Sequence, residues 1–201
     1  MAAMSRRENS VAYHEAGHIT AAVVLAMPIE TTGLQIDLCG HGCAGYFSRL
    51  TGDLAVTEVD LREREFTIIT LYAAHTAQLR FDPDCRQDNW RSDLEKAKAL
   101  VRELHSTQNE EVAAHDSLRR RAAKLVGDHW PIIAELATVL LSKACVPLSQ
   151  EDTKWGMGSH KRQMMGAEIV EFFAQHNIRA KIIHDSKARY DSTQDTPPYK
   201  G

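Results

Sequence analysis

Residues 14 to 18 read HEAGH: two histidines four apart, with a glutamate directly after the first. On an α-helix a four-residue step returns to nearly the same face, about 6 Å along the axis. His14 and His18 can therefore bring two imidazole nitrogens to one cation. Zinc suits such a pair, since it takes imidazole nitrogens at about 2.0–2.1 Å. Glu15 lies one residue round the helix. From there it reaches a water on the metal rather than the metal itself, which is the place of a general base. A chance match to H-E-x-x-H in a chain of this composition is expected roughly 0.03 times. Three polar side chains on an otherwise apolar helix carry desolvation costs that only a shared partner offsets. Gly17 costs about 1 kcal/mol of helix stability relative to Ala, which predicts another element packed close at that point.

Two histidines do not complete a tetrahedral site. The extended pattern that continues with Gly and then His is excluded, because Ala21 and Val24 occupy those places. The third ligand has to come from farther along the chain. Glu58, Glu63, Glu65, Asp82, Asp84, Asp88 and Asp93 are the candidates. Asp93 shares an i, i+4, i+7, i+11 stripe with Ala97, Leu100 and Leu104, the inward face of its helix. A carboxylate facing inward needs a partner, and a cation is the best one. An ordinary first-turn acid, favoured by the helix dipole, has the same address. Spacing favours Asp93 and leaves the others open.

The elements that must hold these residues follow from patterning. The chain has 201 residues, 43% of them hydrophobic, enough for one sizeable core. A net charge of −3 with mixed signs argues against nucleic acid or an anionic membrane as the main partner. No apolar run is long enough to span a bilayer. The first residues lead straight into the histidine helix without an apolar leader, and the 4 cysteines do not suggest a disulfide framework. A cytoplasmic setting is expected. Asn9 or Ser10 can cap a helix that runs to about Met27 and stops at Pro28. Leu34, Ile36 and Leu38 alternate as in a strand, Gly40 to Gly42 suit a turn, and residues 44 to 49 suit a returning strand. Helices are predicted over 58–81, 92–105, 109–126 and 130–144, with Asp128 capping the last and Pro131 in its first turn. Ser149 to Asp152 reads as a capping box. After Trp155 come a glycine-rich linker, a helix over about 159–175, a short strand-like stretch and a polar tail expected to be disordered.

The fold class expected is α+β and mostly α: a zincin-like HExxH helix in a helical bundle, with a small β-hairpin beside the metal. Residues 1–155 would form the domain, 156–185 an extension and 186–201 the tail. Cys39, His41 and Cys43 could bind a second zinc, but no other pair has a matching spacing, and a turn explains the intervening glycines.

The stretch VAYHEAGHITAAVV closely resembles the start of the peptidase domain of the FtsH-type membrane-bound, ATP-dependent zinc proteases. CAGYFSRL is similar to that family's glycine-tyrosine edge strand. ITLYAAHTAQLRF stands where the family has a glycine-rich helix. WRSDLEKAKALV resembles its Ser-Asp-Leu segment, and HWPIIAELATVLLSKACVPLSQED its closing helices. Together these cover residues 10 to 154. The resemblance implies a zinc-dependent metalloendopeptidase, with His14, His18 and Asp93 holding one Zn2+ and Glu15 as catalytic base. It also implies that Ala44, Gly45, Tyr46 and Phe47 form an edge on which a peptide pairs through main-chain hydrogen bonds. There are departures. The sequence holds no G-x-x-x-x-G-K-[ST] phosphate loop. Ala73, Ala74 and His75 stand where the family has Gly, Gly and Arg, and Gln78 replaces a usual acid. Substrates would then be peptides or flexible, unfolded polypeptides, and a separate ATPase partner and a homo-oligomer both stay open. The alternative is a non-catalytic binding or regulatory subunit, for which Glu15 would have no use.

Overall fold

The computed structural model describes residues 5–37, 41–46, 58–85, 91–148 and 160–183. The first helix, α1, runs Arg6–Val24. It starts earlier than Asn9 or Ser10 because the Ser5 hydroxyl caps it, accepting from the Glu8 amide at 3.1 Å. Ser10 is instead a buried residue within the helix. The helix stops at Val24, short of Met27, where Ala26 adopts a left-handed φ of 60°. The bundle is completed by α2 (Glu58–Phe81), α3 (Arg91–Leu104), α4 (Gln108–Asp128) and α5 (Trp130–Ser142). Thr107 and Glu110 form a capping box at the start of α4. Asp128 is the last residue of α4 and binds Lys124; α5 has no side-chain cap. The predicted cap at Asp128 fails because α4 runs straight through it.

α1 occupies the centre. It packs along α2 and α5 and lies against β1 (Ile29–Asp37) and β2 (Gly42–Tyr46). Ile19 of α1 is fully buried, as are Ile68 and Ile69 of α2 and Ile133, Leu136 and Leu140 of α5. Each such side chain contributes about 1.5–3 kcal/mol relative to exposure. The crossing of α1 and α2 is close. A Cβ on Gly17 would lie 2.9 Å from Ala74 Cα and 2.9 Å from Ala77 Cβ. That accounts for a glycine in a helix interior.

The sheet combines β1 (Ile29–Asp37), β2 (Gly42–Tyr46), β3 (Val146–Pro147), β4 (His160–Met164) and β5 (Ile182–Ile183). Its order is β2-β1-β4-β3, and β5 lies parallel to the start of β1. Leu34 pairs with Ala44 on one side and Met164 on the other. A helix, α6 (Gly166–Gln175), packs on β1 with Ile169 and Phe173 fully buried. The helix expected over 159–175 therefore begins seven residues late. Residues 160–164 are drawn into a strand by β1, and such pairing overrides local helical preference. Arg162 of β4 fixes this arrangement. It reaches Glu8 of α1 at 2.9 Å and the Lys143 carbonyl after α5.

The chain is thus α+β and mostly α, with a small sheet along one side. Among the described residues no single helix is long and apolar enough to cross a membrane. Leu38, Cys39, Gly40, Phe47, Asp88, the capping box at Ser149, Trp155 and the tail lie outside the described residues.

Candidate metal centre

Two elements bring three side chains to one point. α1 contributes His14 and His18, and the first turn of α3 contributes Asp93. His14 Nε2 lies 3.0 Å from Asp93 Oδ2, and His18 Nε2 lies 3.1 Å from the same oxygen. The two imidazole rings are 4.8 Å apart and nearly perpendicular, at 82°. One ligand atom from each residue falls within 4.8 Å of the others, and both histidines are buried. Two imidazole nitrogens and one carboxylate oxygen fit a zinc ion, with a fourth position left for water or substrate. Among the described residues this is the one such cluster of His, Cys, Asp and Glu.

The rival ligands have other partners. Asp82 and Asp84 hold Arg6, and Glu65 binds Arg121 at 2.7 Å. Glu63 does not belong to the cluster. Asp88 and the side chain of Glu58 lie outside the described residues. In the second-zinc candidate, His41 Nδ1 donates to the buried Asp37 carboxylate at 2.9 Å, and Cys43 is exposed.

Burial works against ionisation of Asp93, but hydrogen bonds from His14 and His18 outweigh it and hold the carboxyl far below its usual range. Lys96 adds a weak contact at 3.8 Å. Glu15 behaves in the opposite way. Burial, with Asp93 adding to it and His14 and Lys96 opposing, pushes its carboxyl up to about 7. A base poised near neutral pH takes and returns a proton with little cost in either direction. Its carboxylate accepts no hydrogen bond from the described residues, so nothing there competes for it. Its ceiling is β2: a Cβ on Gly42 would lie 2.3 Å from Glu15 Oε1.

Among the described residues β2 is an edge strand, paired to β1 alone. Ala44, Gly45 and Tyr46 lie on it, and the Tyr46 ring stands 5.8 Å from the ring of His18. The strand expected from residue 44 begins two residues earlier, at Gly42, and residues 47–49 lie outside the described residues. Its glycine at 42 has to pass over Glu15 before the chain reaches Tyr46.

One side chain behind His14, Gln78, was given no role from sequence and stood only as a departure from the family pattern; His75 was expected to pack near the site rather than to bind metal. Gln78 is fully buried on α2; its Oε1 accepts from His14 Nδ1 at 2.9 Å and its Nε2 donates to Ser10 Oγ at 3.0 Å. Ser10 sits four residues before His14, which places it on the same helix face. Nothing local pointed to Gln78. His75 packs nearby, and burial, with His14 and Arg119, draws its imidazole down to about 4. It stays neutral there and adds no charge against a cation. Neither models of known protein families nor curated proteins match this chain.

Proposed function

We propose that this protein is a zinc-dependent metalloendopeptidase acting on flexible or unfolded polypeptides. The observation that carries the reading is the convergence of His14, His18 and Asp93 on one point, with the Glu15 carboxylate beside it, unpartnered among the described residues, under a strand whose outer edge no described residue covers. The likeness to the FtsH-type peptidase domain set out from the sequence supports it in the same direction.

His14, His18 and Asp93 would hold the zinc. When bound, the ion polarises the scissile carbonyl and makes water a stronger acid. The chain's residues do the rest. The open edge of β2 takes up an extended peptide by main-chain hydrogen bonds, which fixes its register beside the metal ligands. Glu15 removes the proton from the attacking water and delivers it to the departing amine nitrogen. Gly42 keeps room for the Glu15 carboxylate under the bound strand.

Metal analysis and proteolysis with single variants test this. The parent is expected to hold zinc near one per chain and to cut an unfolded casein-like substrate. Asp93→Ala loses the zinc. Glu15→Gln keeps it and loses cleavage. A Glu15→Gln protein that cuts as fast as the parent would show that the base is misassigned.

A further inference from the structure

We propose that Gln78 is a positioning residue for His14: its amide oxygen keeps the ring proton on Nδ1, so that the Nε2 lone pair points at the metal position. The inference rests on the metal-site reading above. With a metal in place of the Nε2–Asp93 contact, the His14 imidazole would be neutral with one proton, and the hydrogen bond at Nδ1 decides where it sits. The Gln78 oxygen lies 2.9 Å from Nδ1 and can only accept. Reversed, the amide would present N–H to Nδ1 and drive the proton to Nε2, where it would remove the ligand lone pair. The amide is held by its other end, because Nε2 of Gln78 donates to Ser10 at 3.0 Å. Ser10, Gln78 and His14 are all buried, so water does not substitute for any of these bonds.

The pair of histidines is unequal in this respect. His18 Nδ1 is buried and has no hydrogen-bond partner among the described residues. Orientation of the pair therefore depends on the His14 side, where α2 reaches across α1. Such outer partners of ligating histidines typically account for roughly 10- to 100-fold in metal affinity. Gln78 is neutral, so it orients the imidazole without adding the electron donation that a carboxylate would supply. A glutamate in its place should raise ligand basicity and tighten binding.

Zinc affinity measured by chelator competition, on the full chain, tests the proposal. Gln78→Leu should weaken zinc binding by roughly 10- to 100-fold, and Gln78→Glu should bind at least as tightly as the parent. In the zinc-loaded parent, nitrogen-edited NMR should find the His14 Nδ1 proton protected from exchange, and Gln78→Leu should lose that protection. Thermal melting of the metal-free proteins separates orientation from packing. If Gln78→Leu melts lower yet binds zinc as the parent does, Gln78 is only a packing residue and the proposal is overturned. If Gln78→Glu binds more weakly than Gln78→Leu, it is overturned too. A parent that binds no zinc brings down the metal-site reading itself, an outcome distinct from both.

Discussion

Glu15 is a cost to the fold, which its proposed role as base would require. An acid whose folded pKa is raised from 4.5 to about 7 is protonated without penalty below 4.5. As pH rises through that window the folded state holds more protons than the unfolded chain, so stability falls. Above about 7 the full penalty applies, of order 3 kcal/mol by the usual conversion. Metal-free Glu15→Gln should therefore melt higher than the metal-free parent at pH 7.5, with the two curves merging below pH 4.5. Calorimetry across pH reads this difference directly, and parallel curves would refute it. The same substitution that is proposed to stop cleavage should stabilise the metal-free protein.

At the level of elements, two contacts set the site. Where β2 passes over α1, Gly42→Ala would press a methyl group into the Glu15 carboxylate. A shift of the base by about 1 Å can cost on the order of 100-fold in rate. The variant should keep its zinc and its melting temperature while kcat falls, measured with a fluorogenic peptide. Where β4 meets α1, Arg162→Ala would leave Glu8, 5% exposed, without its partner. Breaking a buried pair from one side costs about 3–5 kcal/mol, and a denaturant titration reads it.

These contacts also show what a sequence reader can and cannot see. The i, i+4 histidines and the inward face of Asp93 were legible because each is written in local periodicity, and the long helix over 58–81 was legible as an uninterrupted stretch stopped by Asp82-Pro83. The glycine at 17 was legible as a close approach, though not which helix approached. Gln78 was not, since its role depends on α2 crossing α1 at Gly17. β4 was misread as helix because its strand character comes from β1, over a hundred residues earlier. Ser5, rather than Ser10, caps α1 because Ser10 is used as a buried hydrogen-bond partner.

For the molecule as a whole, residues 160–183 are part of the sheet. β4 fills the position between β1 and β3, and α6 buries Ile169 and Phe173 against β1. A chain cut after residue 155 would expose one edge of β1, lose the Arg162 link and uncover that apolar face. It should lose cooperative unfolding and bind zinc poorly, although every proposed ligand remains in it. Circular dichroism melts with and without zinc decide the matter; a truncated chain that melts as sharply as the parent would contradict this reading.

The position of β4 has a consequence in time. The proposed ligands and base are all synthesised by residue 93, but the strand that backs the hairpin emerges only at residues 160–164. At about 5–20 residues per second, that interval lasts on the order of several seconds. Over that interval the nascent chain carries all the proposed metal ligands and a hairpin without β4 beside it. The proposed site thus gains its backing strand only after residues 160–164 have emerged, well after its last proposed ligand, Asp93.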